Sequence, residues 1–242
     1  MCEISIDQDE KHAIDAIFAC NRFKVLFETL SKYVVKENGY GATGNTLRGF
    51  HLARTAAEKK DKTIKNNREC FDSWAEEQIV SDRYISVAST KISHRNWKYE
   101  QATMLQNKFK ENGVKNAAEE KDVWRFVKLI DLFIKNRIFA EVNPDKKRIL
   151  INAFEVPLDK YSLIKVRQSY NSSIEGQRRS EYPRMPEKVS MGWVKKKTQY
   201  ELVQDIIKNI STESAFRYDV FAWNYDHLSG IENRLLDSLI EK

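Results

Sequence analysis

The sequence holds few of the residues that make turns: eight Gly and four Pro in 242 residues. Loop-rich and all-β architectures need those residues for positive φ and fixed bends, so their scarcity disfavours both. Cysteine is scarce too. Cys2, Cys20 and Cys70 are odd in number and far apart. That fits neither a disulfide framework nor a zinc knuckle. Three reduced thiols in a reducing, intracellular compartment are expected instead, the nucleus in a eukaryotic host and the cytoplasm otherwise. No apolar run approaches the roughly 18 residues of a bilayer span, so no membrane partner is expected. The opening residues Met1 to Asp7 lack the basic and long apolar segments of a secretion signal.

Local catalytic and metal motifs are also missing. The histidines His12, His51, His94 and His227 stand apart from one another and from cysteine, so no metal site is expected. Arg48 and His51 are closer together than a ribonuclease-type pair requires. Asp226 and His227 adjoin, but no nucleophile elbow accompanies them. Gly39-Tyr40-Gly41-Ala42-Thr43-Gly44 matches G-x-G-x-x-G. That motif binds dinucleotides only between a strand and a helix. Here a helical pattern precedes it, so a glycine-rich turn between helices is the expectation, with no cofactor.

What the chain does contain is charge, aromatic residues and helical periodicity. Charged residues make up 31% and aromatic residues 11% of the sequence, enough of the latter to build a core. The net charge is +6, and it is segregated. Residues 1–20 carry one Lys against five acidic residues, and residues 201–242 carry four basic against eight acidic. The basic body between them favours a polyanionic partner.

Apolar spacing predicts helices over residues 11–36, 46–79, 98–111, 119–136 and 199–210, with another in the tail. Asn112-Gly113 reads as a left-handed helix stop. Residues 81–93 read as a connection or short strand. Ile138 to Val142 and Arg148 to Ile151 read as two strands of a hairpin turned by Asn143-Pro144-Asp145-Lys146-Lys147. Residues 167–197 read as the least ordered part. There Arg178, Arg179, Arg184, Lys188, Lys195, Lys196 and Lys197 alternate with Tyr170, Tyr182 and Trp193, a mixture suited to tracking phosphates while stacking bases. The run Phe216 to Tyr225 holds five aromatic residues and reads as core, or, if exposed, as a protein-binding anchor.

The run from Glu100 to Asn112, with Leu105, Phe109 and Asn112 in sequence, resembles the first helix of homeodomain-like proteins. Ala117-Ala118-Glu119-Glu120-Lys121 resembles the start of their second helix. Phe133-Ile134-Lys135-Asn136-Arg137 stands where the recognition helix would be, though nearer to Phe109 than the family places it. The resemblance covers about residues 97–137. It implies that Asn136 and Lys135 reach base edges, Asn136 through adenine, and that Arg137 meets phosphate. A helix followed by a hairpin also resembles a winged helix, with Lys146, Lys147 and Arg148 at the wing tip against the backbone.

The expected fold is therefore mainly α, a helical protein with a helix-turn-helix or winged-helix unit and one small β-hairpin. The expected segments are a helical region at 1–94, the DNA-binding unit at 95–160, a basic, partly irregular segment at 161–198 and a helical segment at 199–242. The leading expectation for function is non-catalytic DNA binding, with RNA possible, as an accessory subunit of a chromatin or DNA-modifying complex. The alternatives are a protein-interaction subunit and a nucleic-acid-processing enzyme with dispersed residues.

Overall fold

The computed structural model describes residues 3–18, 40–42, 47, 67–112, 123–178, 180–211 and 214–225. The chain is mainly helical, and no strand occurs among the described residues. It forms two compact units. Unit 1 comprises Met1–Tyr33 with Glu155–Lys242, and unit 2 comprises Val34–Phe154. Residues 1–33 thus group with residues 155–242.

Unit 2 is built on α2 (Asn67–Ser81), the short α3 (Arg83–Ser86), a 3-10 turn at Val87–Ser89, α4 (Lys91–Glu111), α5 (Val123–Ala140) and α6 (Pro144–Ala153). Helices α4 and α5 pack along one another. Phe109 meets Phe126 edge to face at 5.2 Å, and Lys98 meets Asp131. Trp74 of α2 closes the core. Its ring packs at 5.1 Å on Phe133, and its indole N–H donates to Gln101 Oε1 at 3.1 Å. Tyr84 covers Phe133 from another side at 5.4 Å.

Inside this apolar setting lies one ion pair. Lys98 Nζ stands 2.6 Å from Asp131 Oδ1, and both side chains are 1% exposed. Two charges so far from water depend on each other, because removing either strands its partner in a low-dielectric interior.

The segment Tyr40-Gly41-Ala42 is a turn held against α2 and α5. Tyr40 OH and Glu76 Oε1 are 3.1 Å apart, and Arg68 donates to the Ala42 carbonyl. Gly41 has φ +98°, and a Cβ there would stand 2.8 Å from the Leu132 carbonyl carbon and 3.1 Å from Asn136 Cβ. Glycine is needed twice over, for the left-handed backbone and for the close approach to α5.

The hairpin expected at 138–151 does not form. Ile138 to Ala140 complete α5, and Pro144 opens α6. The residues read as a hairpin turn are a helix start. Asn143 Oδ1 accepts from the backbone N–H groups of Asp145 and Lys146 at 3.0 and 3.1 Å, and Pro144 occupies the first helical position. Asn and Pro serve both purposes by the same chemistry, a side-chain acceptor and a fixed φ. Residues 81–93 are likewise helical turns rather than a strand, and Thr90 Oγ1 caps α4 by accepting from Ser93 N. Helix α4 does end at Asn112, whose φ is −90°, and Gly113 lies outside the described residues.

Unit 1 contains α1 (Gln8–Phe18), α7 (Lys160–Ile164), α8 (Arg167–Ser173), a 3-10 turn at Met191–Trp193, α9 (Lys197–Ile210) and α10 (Ala215–Tyr225). Helix α9 buries Val203, Ile206, Ile207 and Ile210, the face expected from their spacing. Phe216 and Tyr218 of the aromatic run are buried, as core residues. The stretch from Glu155 to Leu158 is buried without belonging to a helix, so its backbone needs other partners. Gln204 provides them: its amide accepts from Val156 N at 2.9 Å and donates to Val156 O at 2.8 Å.

The N-terminal segment docks on α8. Glu10 accepts from Gln168 N, Ser169 N and Ser169 Oγ, so its carboxylate caps that helix. Ser173 Oγ bonds both the N–H and the carbonyl of Ser5. Burial pushes the Glu10 carboxyl above its usual range, against the opposing pull of its bonds from Ser169 and Gln168.

Two outcomes test the packing of unit 2. Lys98→Met is expected to cost about 3–5 kcal/mol in chemical denaturation, and combining it with Asp131→Leu should cost clearly less than the sum of the single changes. Gly41→Ala is expected to lower stability by about 1–3 kcal/mol through the positive φ alone, with the contact to α5 adding to that.

Candidate nucleic-acid interface

The basic residues singled out by sequence fall into both units. In unit 2, Asn136 is only 5% exposed, beneath the Gly41 turn. An amide so covered does not present its edge to a base. Phe133 to Arg137 are an interior stretch of the 18-residue helix α5, and Phe133 is wholly buried in the core. Lys135 is half-buried. Arg137 Nε donates to the Tyr84 hydroxyl at 3.3 Å.

Lys146, Lys147 and Arg148 lie in the first turns of α6, not at a wing tip. Lys146 Nζ stands 2.8 Å from Asp82 Oδ2, and this bond together with the carboxylate's charge holds the ammonium above its ordinary pKa. Arg148 pairs with Asp145 at 3.0 Å. Lys147 is half-buried. Two of these three cations thus already face carboxylates.

Unit 1 holds the other group, and there the segment expected to be least ordered is folded. Pro183 and Pro186 do keep it out of a long helix, but Met185, Val189 and Val194 are buried beneath it. Asn171 of α8 fixes it by accepting from Met185 N at 2.9 Å and donating to Met185 O at 3.2 Å. Trp193 meets Tyr170 edge to face at 5.0 Å.

On this scaffold the cations face outwards. Arg178, Arg184, Lys188, Lys195, Lys196 and Lys197 are all exposed; Arg179 lies outside the described residues. Residues 178–181 form a turn, with Glu181 N bonded to the Arg178 carbonyl at 3.0 Å. Lys196 Nζ donates to the Ser180 carbonyl in that turn at 2.7 Å. One bond therefore brings Arg178 and the run Lys195 to Lys197 together, although they are far apart in sequence. Residues 178–197 hold seven basic residues against Glu181 and Glu187. Tyr182 and Trp193 are half-buried beside the same turns.

Sequence reasoning found these cations but not the tie between them, since nothing in the string links Lys196 to Ser180. It also missed Gln199, which accepts from the backbone N–H groups of Lys195 and Lys196 at 2.9 and 3.0 Å and so shapes the lysine run. Among the described residues, no cluster of His, Cys, Asp and Glu is arranged to hold a metal ion. No helix among them is long and apolar enough to cross a membrane. Arg48, His51, Asp226, His227 and the glycines at 39 and 44 lie outside the described residues.

The Asn171 clamp makes the segment testable. Asn171→Ala removes an acceptor and a donor from a partly buried backbone and is expected to cost about 1–3 kcal/mol. Limited trypsin digestion should then cut at Arg178, Arg184 or Lys188 well before it cuts elsewhere in unit 1. Comparison of the chain with family models, with curated proteins and with solved structures finds no match.

Proposed function

We propose that the protein binds nucleic acid without catalysis, and that the basic segment 178–197 of unit 1 is its contact with the phosphate backbone. The bond from Lys196 to the Ser180 carbonyl is the observation that carries this reading. It gathers cations from two separate runs onto one folded surface, and a polyanion gains most where several phosphates are neutralised together. The half-buried rings of Tyr182 and Trp193 supply apolar surface beside those charges, on which bases can stack.

The groups in unit 2 support the reading less. Duplex recognition by a helix-turn-helix would need the Asn136 amide, which is buried. A wing contact would need Lys146 and Arg148 to leave Asp82 and Asp145. DNA remains the leading ligand, with RNA possible, and a role as the binding subunit of a larger assembly is compatible with it.

Fluorescence anisotropy of a labelled oligonucleotide, titrated at several salt concentrations, tests the proposal. Lys195→Glu with Lys197→Glu is expected to weaken binding by about tenfold or more and to flatten the log–log salt slope by nearly two, at about 0.9 per phosphate contact. Lys146→Glu with Lys147→Glu should change binding far less. The reverse order of effects would move the interface to unit 2, and no binding at low salt would end the nucleic-acid reading.

A further inference from the structure

The basic segment joins α8 to α9 without a long element of its own. Between Ser173 and Lys197 the regular structure among the described residues is one 3-10 turn, Met191–Trp193. Met185, Val189 and Val194 are buried, so the segment is anchored at three points along its length. The sequence of a duplex is read in its major groove by an α-helix or a two-stranded ribbon that projects into it. An anchored run of turns has no such element to insert, and a duplex would meet it through phosphates alone.

Two aromatic residues flank the bond that draws the cations together. Tyr182 N donates to the Arg178 carbonyl at 3.1 Å, in the turn whose Ser180 carbonyl receives Lys196 Nζ at 2.7 Å. Trp193 precedes Lys195 on the other arm of that bond, and its own N–H donates to the Ser190 carbonyl at 2.9 Å. The Trp193 ring stands edge to face against Tyr170, which is wholly buried. Neither Tyr182 nor Trp193 is itself fully buried, and Arg178, Lys195 and Lys197 are exposed on the same two arms. A ring fixed before its ligand arrives has less freedom to lose on binding.

We propose that this segment takes a single-stranded polynucleotide in preference to a duplex, with phosphates against Arg178, Lys195 and Lys197 and bases stacked on Tyr182 and Trp193. The inference rests on the nucleic-acid reading and narrows its ligand. Every unpaired base offers a π-face to a ring, while the strand that carries it follows the cations with its phosphates. In a duplex those faces are covered by neighbouring base pairs, and freeing one costs unstacking and unpairing. Charge alone favours the duplex, whose phosphates are denser along its axis. A preference for the single strand is therefore the mark of the rings.

The test uses the full chain and labelled probes with equal numbers of phosphates: a single-stranded oligothymidylate, a duplex, and a strand of abasic sugars. In anisotropy titrations at one salt concentration, the oligothymidylate should bind about tenfold or more tightly than either other probe. Tyr182→Leu should weaken the oligothymidylate by about tenfold and leave the duplex and the abasic strand nearly unchanged. The comparison of probes is made on the unaltered protein, so it stands whether or not that variant folds. The preference is overturned if the duplex or the abasic strand binds as tightly as the oligothymidylate, or if a folded Tyr182→Leu weakens all probes equally. Binding of all three probes alike leaves the phosphate contact standing. No binding of any probe at low salt removes the nucleic-acid reading as well. An oligouridylate of the same length separates the sources, since tighter binding of either strand supports the preference and names RNA or DNA.

Discussion

Two long helices sharing an apolar seam can slide by a turn at modest cost, since one aliphatic contact replaces another. Helices α4 and α5 cannot, because Lys98 and Asp131 are both sealed inside unit 2. A shift of one turn would part the two buried charges, a penalty that ordinary packing does not offset. With that register set, Phe109 reaches Phe126, and Trp74 and Tyr84 close on the two sides of Phe133. The Gly41 turn then has a defined stretch of α5 to lie against, and Asn136 is the residue it covers.

Helical periodicity was legible where the buried face is purely apolar. Val203, Ile206, Ile207 and Ile210 announce α9, and Val123 to Ile134 announce α5. Boundaries were less legible. Ile138 and Ile149 to Ile151 favour strands by local preference, and only tertiary burial of Ile138 and Leu150 decides for helix. Asn143-Pro144 was ambiguous in principle, because a helix cap and a hairpin turn draw on the same side-chain acceptor and the same fixed φ. The resemblance to homeodomain-like proteins rested in part on Leu105 and Phe109, which are core residues. Such i, i+4 pairs occur in many helical units and carry no information about grooves or bases.

The candidate interface was half legible. Basic residues among aromatic ones at 178–197 could be seen in the string, and they do lie on the surface. Their convergence depends on a side chain meeting a backbone carbonyl sixteen positions away, which no local pattern encodes.

The composition of unit 1 has a consequence in time. Ser5 meets Ser173 across 168 residues, and Glu10 meets Ser169 across 159. All of unit 2 lies in the interval. On a ribosome the segment with Ser5 and Glu10 emerges before α8, and it cannot dock until α8 has been made. Unit 2 is encoded between residues 34 and 154, so its chain is complete earlier and can fold while the first segment waits. The segment that carries Ser5 and Glu10 is therefore made before unit 2 yet completes unit 1 only after it.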